Sequence, residues 1–178
     1  MKTLTLLRHA KSGWDDPVVR DFDRPLNAKG ARAAALMGQE LRALGLAFDH
    51  IVASPALRVM ETVDHLSAGY GRRIEPVWDR RLYLAPVALL LDLVHALPPE
   101  AEHVLMIGHN PGLEELVLLL TADRAADALR HQVALKYPTA SVAELHVVGG
   151  WSALLPGEAR LTRFVRPRDL DPALGPDD

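Results

Sequence analysis

The chain has 178 residues, of which 49% are hydrophobic and 24% charged, with a formal net charge of −3 and no cysteine. That length suits one ordinary hydrophobic core, and the charge gives no global basic footprint for nucleic acid. A disulfide framework and thiolate zinc sites are excluded, and no apolar run is long enough to span a bilayer.

Strands and helices alternate along the chain. Thr3–Leu7 is a short apolar run that reads as a buried strand. Nothing there matches the charged segment, apolar core and small-residue cleavage site of a secretory leader, so the expected location is the cytoplasm. A polar loop rich in Asp and Pro follows, from Ala10 to Leu26. Asn27 can cap a helix reaching Leu44, because Ala33, Met37, Leu41 and Leu44 form a stripe at helical spacing and Gly45 suits a C-terminal stop. His50–Ala53 reads as a second strand. Ser54 and Pro55 then read as cap and first residue of a helix through Leu66. Ile74–Trp78 is a third strand, and Pro86–Ala96 a helix stopped by Pro98 and Pro99. His103–Ile107 is a fourth strand, and Asn110-Pro111 repeats the cap-plus-proline start before a helix over Leu113–Leu120. Ser141–Val148 alternates as a strand, Gly149-Gly150 turns, and Ala159–Val165 reads as its partner.

This order implies an α/β fold, a three-layer α/β/α sandwich on a mostly parallel sheet of about five to six strands. Residues 1–165 read as a single domain without internal repeats. Residues 166–178 are rich in Pro and Asp and read as a tail, either strapped to the surface or disordered.

Ligands of open α/β sheets bind beyond the carboxyl ends of the parallel strands. Three such ends carry unusual residues: Arg8-His9, then Ser54-Pro55-Ala56-Leu57-Arg58, then Gly108-His109-Asn110-Pro111-Gly112. Arg58 lies about one turn into its helix and can lean back over the helix start, because helical side chains tilt toward the N-terminus. Two arginines, two histidines and two helix starts suit a tetrahedral dianion. Arg8 and His9 would point to opposite faces if the strand continued, so they share a pocket only if the backbone turns there.

The chemistry then divides roles. Arg8, Arg58 and His109 would neutralise charge on the phosphoryl oxygens. His9 would attack phosphorus in line and form a phosphohistidine that water hydrolyses. One ring nitrogen must then be unprotonated, with the other donating to a backbone carbonyl. With the arginines supplying positive charge, no metal or other cofactor is expected.

These motifs resemble the histidine phosphatase (phosphoglycerate-mutase-like) superfamily. Leu-Arg-His, Ser-Pro-x-x-Arg followed by Glu61-Thr62, and Gly-His-Asn-Pro-Gly occur in that family's order. Arg-His-Ala-Lys-Ser-x-Trp, then Asp23-Arg24-Pro25-Leu26 and Gly30, is most similar to its short bacterial branch, the SixA-type phosphohistidine phosphatases. The resemblance implies His9 as the phosphorylated nucleophile, with Arg8, Arg58 and His109 completing the pocket. It also implies phosphate contacts from Ser12 and from Asn110, through its backbone N–H or its side chain.

Two departures from larger members bear on substrate. A strand, a helix and a strand fill most of the stretch from Arg58 to His109, which leaves no room for a helical lid. An open pocket suits a phosphoryl group carried on a protein. The acid found in larger members has only Asp79 as a candidate here, flanked by Arg80 and Arg81. A phosphohistidine leaving group needs less help than an alkyl ester. The implied activity is a cofactor-independent phosphatase acting on phosphohistidine in a protein. A phosphomonoesterase acting on a small metabolite, such as a sugar phosphate or nucleotide, and an inactive phosphate-binding module are the alternatives. Neither nucleic acid nor membrane is an expected partner.

Of the remaining residues, Ser54 reads as a structural cap. Asp15, Asp16, Asp21 and Asp23 read as loop carboxylates, with Asp23-Arg24 as a local pair. Trp14 either packs the loop or forms a rim. Lys11 either steers anions or is solvated.

Overall fold

A computed structural model describes residues 1–14, 17 and 20–175. Asp15 and Asp16 lie outside the described residues. Six strands form one sheet: β1 (Lys2–Arg8), β2 (His50–Ala53), β3 (Val77–Trp78), β4 (His103–Gly108), β5 (Val142–Val147) and β6 (Arg160–Val165), ordered β3-β2-β4-β1-β5-β6. β1 to β4 are mutually parallel, and β5 and β6 close one side antiparallel. The helices are α1 (Ala28–Ala43), α2 (Leu57–Tyr70), α3 (Val87–His95), α4 (Gly112–Leu120), α5 (Ala128–Leu135) and α6 (Pro167–Leu170). The expected α/β sandwich is therefore the observed one, with no helical lid between α2 and β4. None of the described helices is long and apolar enough to cross a membrane.

Strand alternation splits the core in two. Leu4, Leu6, Val104 and Met106 face α3, α4 and Trp151. Leu7, Leu105 and Ile107 face Met37 and Leu41 of α1 and Val59, Val63 and Leu66 of α2. Helices α1 and α2 touch backbone to backbone. A Cβ on Gly38 would lie 2.1 Å from the Leu66 carbonyl oxygen, and one on Gly69 would lie 1.8 Å from that of Ala35.

Local boundaries follow the caps. Asn27 accepts from the Gly30 N–H and starts α1. Helix α2 begins two residues later than Ser54 suggests, because Ala56 keeps a non-helical backbone and is itself the N-cap. Helix α4 begins at Gly112, with the Asn110 side chain accepting from the Glu114 N–H. β3 shrinks to two exposed residues after Pro76. Helix α5 has no counterpart in the sequence pattern, because only Val133 of it is buried and no apolar stripe marks it. In the tail, α6 and the turn Pro172–Leu174 pack on α1, with Leu174 buried beside Ala10, Ala33 and Ala34. Arg32 pairs there with Asp171.

Candidate active site

The sheet registers set the base of the site. Arg8 pairs with Gly108, and Ala53 with Ile107, so the residues that follow leave three neighbouring strands at one level. Two backbone bonds extend this ladder: the His9 N–H to the Gly108 carbonyl at 3.0 Å and the Ser54 N–H to the Ile107 carbonyl at 3.0 Å.

The backbone does turn after β1. The Ala140 N–H reaches the carbonyls of both Arg8 (3.1 Å) and His9 (3.0 Å). Consecutive carbonyls in an extended strand point to opposite sides, so one donor serving both marks a change of direction. The Ala10 N–H then bonds the Thr62 hydroxyl at 2.9 Å, which ties the turn to α2.

The two imidazoles are buried, with ring centroids 5.2 Å apart. His9 Nδ1 lies 2.7 Å from the Ala10 carbonyl. A carbonyl only accepts, so Nδ1 carries the hydrogen and Nε2 keeps its lone pair. Burial holds the His9 pKa well below its ordinary value despite the Ala10 bond, and the nearby His109, Arg58 and Arg8 lower it further. His109 Nδ1 faces the Arg58 Nη2 at 3.3 Å, and its Nε2 lies 2.8 Å from Ser54 Oγ. Arginine only donates, so the hydrogen of His109 sits on Nε2 and points to Ser54. Burial first, then the charge of Arg58, lowers the His109 pKa to about 3. Both rings are therefore neutral at pH 7.

Arg58 lies between them, only 2% exposed. Its Nε points at His9 Nε2 at 3.4 Å. Its other edge is held by a residue read from sequence as a plain loop carboxylate. Nη1 donates to the Asp21 carbonyl at 2.7 Å, and Nη2 donates to Asp21 Oδ2 at 3.0 Å. The Tyr83 hydroxyl also donates to Oδ2. Arg24 Nε donates to Oδ1 at 3.1 Å. Partial burial pushes the Asp21 pKa up, but the hydrogen bond from Tyr83 and the charge of Arg58 outweigh it, and the net shift is downward.

The expected Asp23–Arg24 pair is not formed. A 3₁₀ turn over Asp21–Asp23 brings residues three apart together, so Arg24 pairs with Asp21 and Arg20 with Asp23. Ser12 Oγ accepts from Arg24 Nη1 at 3.0 Å, which ties that hydroxyl to the loop. Arg24 also stacks on Trp14, 3.6 Å from the ring centroid, although the ring is 68% exposed.

Arg8 and Asn110 share an anchor. Arg8 Nη1 donates to the Tyr137 carbonyl at 2.8 Å, and Asn110 Nδ2 donates to the same oxygen at 3.1 Å. The Asn110 side chain is thus used in bracing the start of α4. Tyr137 is itself fixed, its hydroxyl donating to the Leu6 carbonyl at 2.5 Å. Asp79 is engaged by Arg81, which binds both its oxygens, at 2.7 Å for the closest pair, and that partner holds its pKa below the usual value.

Asp21, Tyr83 and the His109–Ser54 contact were not assigned to the site from sequence. The three-residue spacing of Asp21 and Arg24 was the one available signal for the first. Together the groups present a neutral imidazole lone pair, a cationic fork and a second ring around one point. That constellation can accept a phosphoryl group in line and neutralise its oxygens.

The family model described as "Histidine phosphatase superfamily (branch 1)" matches residues 4–83. An uncharacterized protein of Mycobacterium tuberculosis is 33% identical over 163 residues, covering 91% of this chain and 100% of that protein. A solved structure from Nakamurella multipartitia, provisionally named phosphohistidine phosphatase SixA, is 32% identical, with a TM-score of 0.79 over 93% of this chain and 96% of that one. Its provisionally named counterpart from Agrobacterium tumefaciens is 28% identical, with a TM-score of 0.77 over 93% of this chain and 98% of that one.

Proposed function

The chain belongs to the histidine phosphatase superfamily, in its SixA-type branch, and from that premise we propose that it removes phosphate from phosphohistidine on a protein by way of a phosphohistidine at His9. The observation that carries this reading is the unprotonated Nε2 of His9, facing the buried Arg58 beside a second imidazole that is also neutral.

In the first step His9 Nε2 attacks phosphorus and the P–N bond of the substrate breaks. The departing imidazole keeps the electron pair of that bond and takes a proton from solvent. Arg8 and Arg58 neutralise the equatorial oxygens as the phosphoryl group moves. In the second step water attacks phosphorus, inorganic phosphate leaves and His9 returns to its neutral form. Splitting the displacement lowers each barrier.

Two features favour a protein-borne phosphoramidate. Among the described residues, no helical lid lies between α2 and β4 to enclose a small metabolite. Asp79, the acid candidate, is engaged by Arg81 and held as a carboxylate, which leaves an alkyl ester without its proton donor.

The test is a rate comparison on a phosphohistidine protein, free phosphohistidine, an aryl phosphate and a panel of sugar phosphates and nucleotides. The phosphohistidine protein is expected to give the highest kcat/KM. A metabolite exceeding it at least about tenfold, one decade in specificity, would overturn the substrate assignment.

A further inference from the structure

Arginine carries five N–H donors in a planar fork with two usable edges, one from Nη1 and Nη2 and one from Nε and Nη2. In Arg58 these edges have separate partners. The outer edge is taken by a single residue, Asp21, through its carbonyl at 2.7 Å and its carboxylate at 3.0 Å. The inner edge faces the ring nitrogens of His9 and His109 at 3.4 and 3.3 Å, both long for hydrogen bonds. A phosphoryl oxygen entering between the rings meets that inner edge.

Asp21 is itself fixed from three sides. Tyr83 and Arg58 share Oδ2, and Arg24 takes Oδ1. The Tyr83 ring is set by edge contacts with His109 at 5.4 Å and with Phe22 at 5.0 Å. The Asp21 carbonyl also accepts the Arg24 N–H, which closes the 3₁₀ turn. A buried guanidinium without a counter-charge is costly and free to reorient, and Asp21 supplies both charge and direction. Its two oxygens are already occupied, so the carboxylate is not arranged to deliver a proton.

We propose that Asp21 is a positioning residue for phosphoryl transfer: by holding the Nη1–Nη2 edge of Arg58, it turns the Nε–Nη2 edge onto the phosphoryl group, with Tyr83 fixing the carboxylate. This rests on the phosphatase reading above. It adds a residue that acts through Arg58 without touching the substrate.

A double-mutant cycle on kcat with an aryl phosphate tests it. Asp21→Ala is expected to lower kcat about 100-fold, the scale of misplacing a catalytic group, with a smaller change in KM. In an Arg58→Ala background the same substitution should change kcat by less than about twofold, because its target is gone. Tyr83→Phe, which keeps the Asp21–Arg58 pair, should lower kcat in the same direction by about fivefold, one hydrogen bond's worth. Should Asp21→Ala fail to fold, Tyr83→Phe in both backgrounds carries the same test. Equal losses with and without Arg58, or wild-type kcat in the variants, would overturn the proposal. Wild-type enzyme that turns over without labelling His9 would defeat the covalent reading instead, and the cycle stays readable from turnover alone.

Discussion

The floor and the wall of the pocket are built by different means. His9, Ser54 and His109 are the first residues beyond β1, β2 and β4; backbone bonds that continue the parallel ladder set the first two, and His109 follows the last paired residue of β4. Arg58 is held on its open side by side chains and one turn of a loop: Asp21, Arg24 and Tyr83. The floor inherits the rigidity of a sheet whose central residues are fully buried. The wall depends on charge pairing and on the burial of Arg58. Substitutions in the floor should therefore act on the chemistry directly, and those in the wall should act through the orientation of one guanidinium.

The largest contrast is expected from Arg58→Ala. It removes the group on which floor and wall meet, and kcat should fall about 100- to 1,000-fold, the loss typical of an oxyanion donor. Steady-state kinetics with an aryl phosphate check it. A fall under about tenfold would mean that Arg8 alone supplies the charge.

A smaller effect should separate the regions by pH. His9 and His109 are neutral in the fold because burial lowers both pKa values, to about 3 for His109. As pH drops below their ordinary value near 6.5, the unfolded chain binds protons and the folded chain does not. Stability should then fall with decreasing pH, by roughly 1 kcal/mol per unit for each histidine. The clamp at Asp21 behaves as a carboxylate with a lowered pKa, so its contribution is present above the usual carboxylate range and is lost only at more acid pH. Urea unfolding of wild type and His109→Asn at pH 7.5, 6 and 5 reads the difference. The variant should show the shallower slope, and identical slopes would mean that His109 titrates in the fold as it does in the unfolded chain.

The smallest effect is expected at the edge of the wall. Ser12→Ala removes the acceptor for Arg24 Nη1 and a long bond to the Gly13 carbonyl, which should cost about 1 kcal/mol or less and leave kcat within about fivefold. A loss as large as that of Arg58→Ala would make the Ser12 hydroxyl a phosphate ligand.

The same contrast explains what could be read from residue order. The strand-end motifs were legible because apolar runs such as Leu4–Leu7 and Val104–Ile107 mark parallel strands, and the chemistry sits directly after them. Asn27 was legible as a cap for the same reason, since its helix carries an apolar stripe. Asp21 was not, because a lone carboxylate in a polar loop has no period, and its partners Arg58 and Tyr83 lie 37 and 62 positions away. Adjacency suggested Asp23 for Arg24, and the 3₁₀ turn chose Asp21 instead. Ser54 looked like a helix cap by residue type, whereas its hydroxyl serves His109 and the helix starts later. Helix α5 escaped because one buried residue makes no stripe.

The central claim is that His9 carries the phosphoryl group between substrate and water. The most direct measurement is a single-turnover reaction with a radiolabelled phosphohistidine protein, quenched in base, where phosphohistidine survives, and mapped by peptide. Transient label on the His9 peptide of wild type, absent from His9→Ala together with turnover, is the predicted result. Turnover without label on His9, or an active His9→Ala, would contradict it.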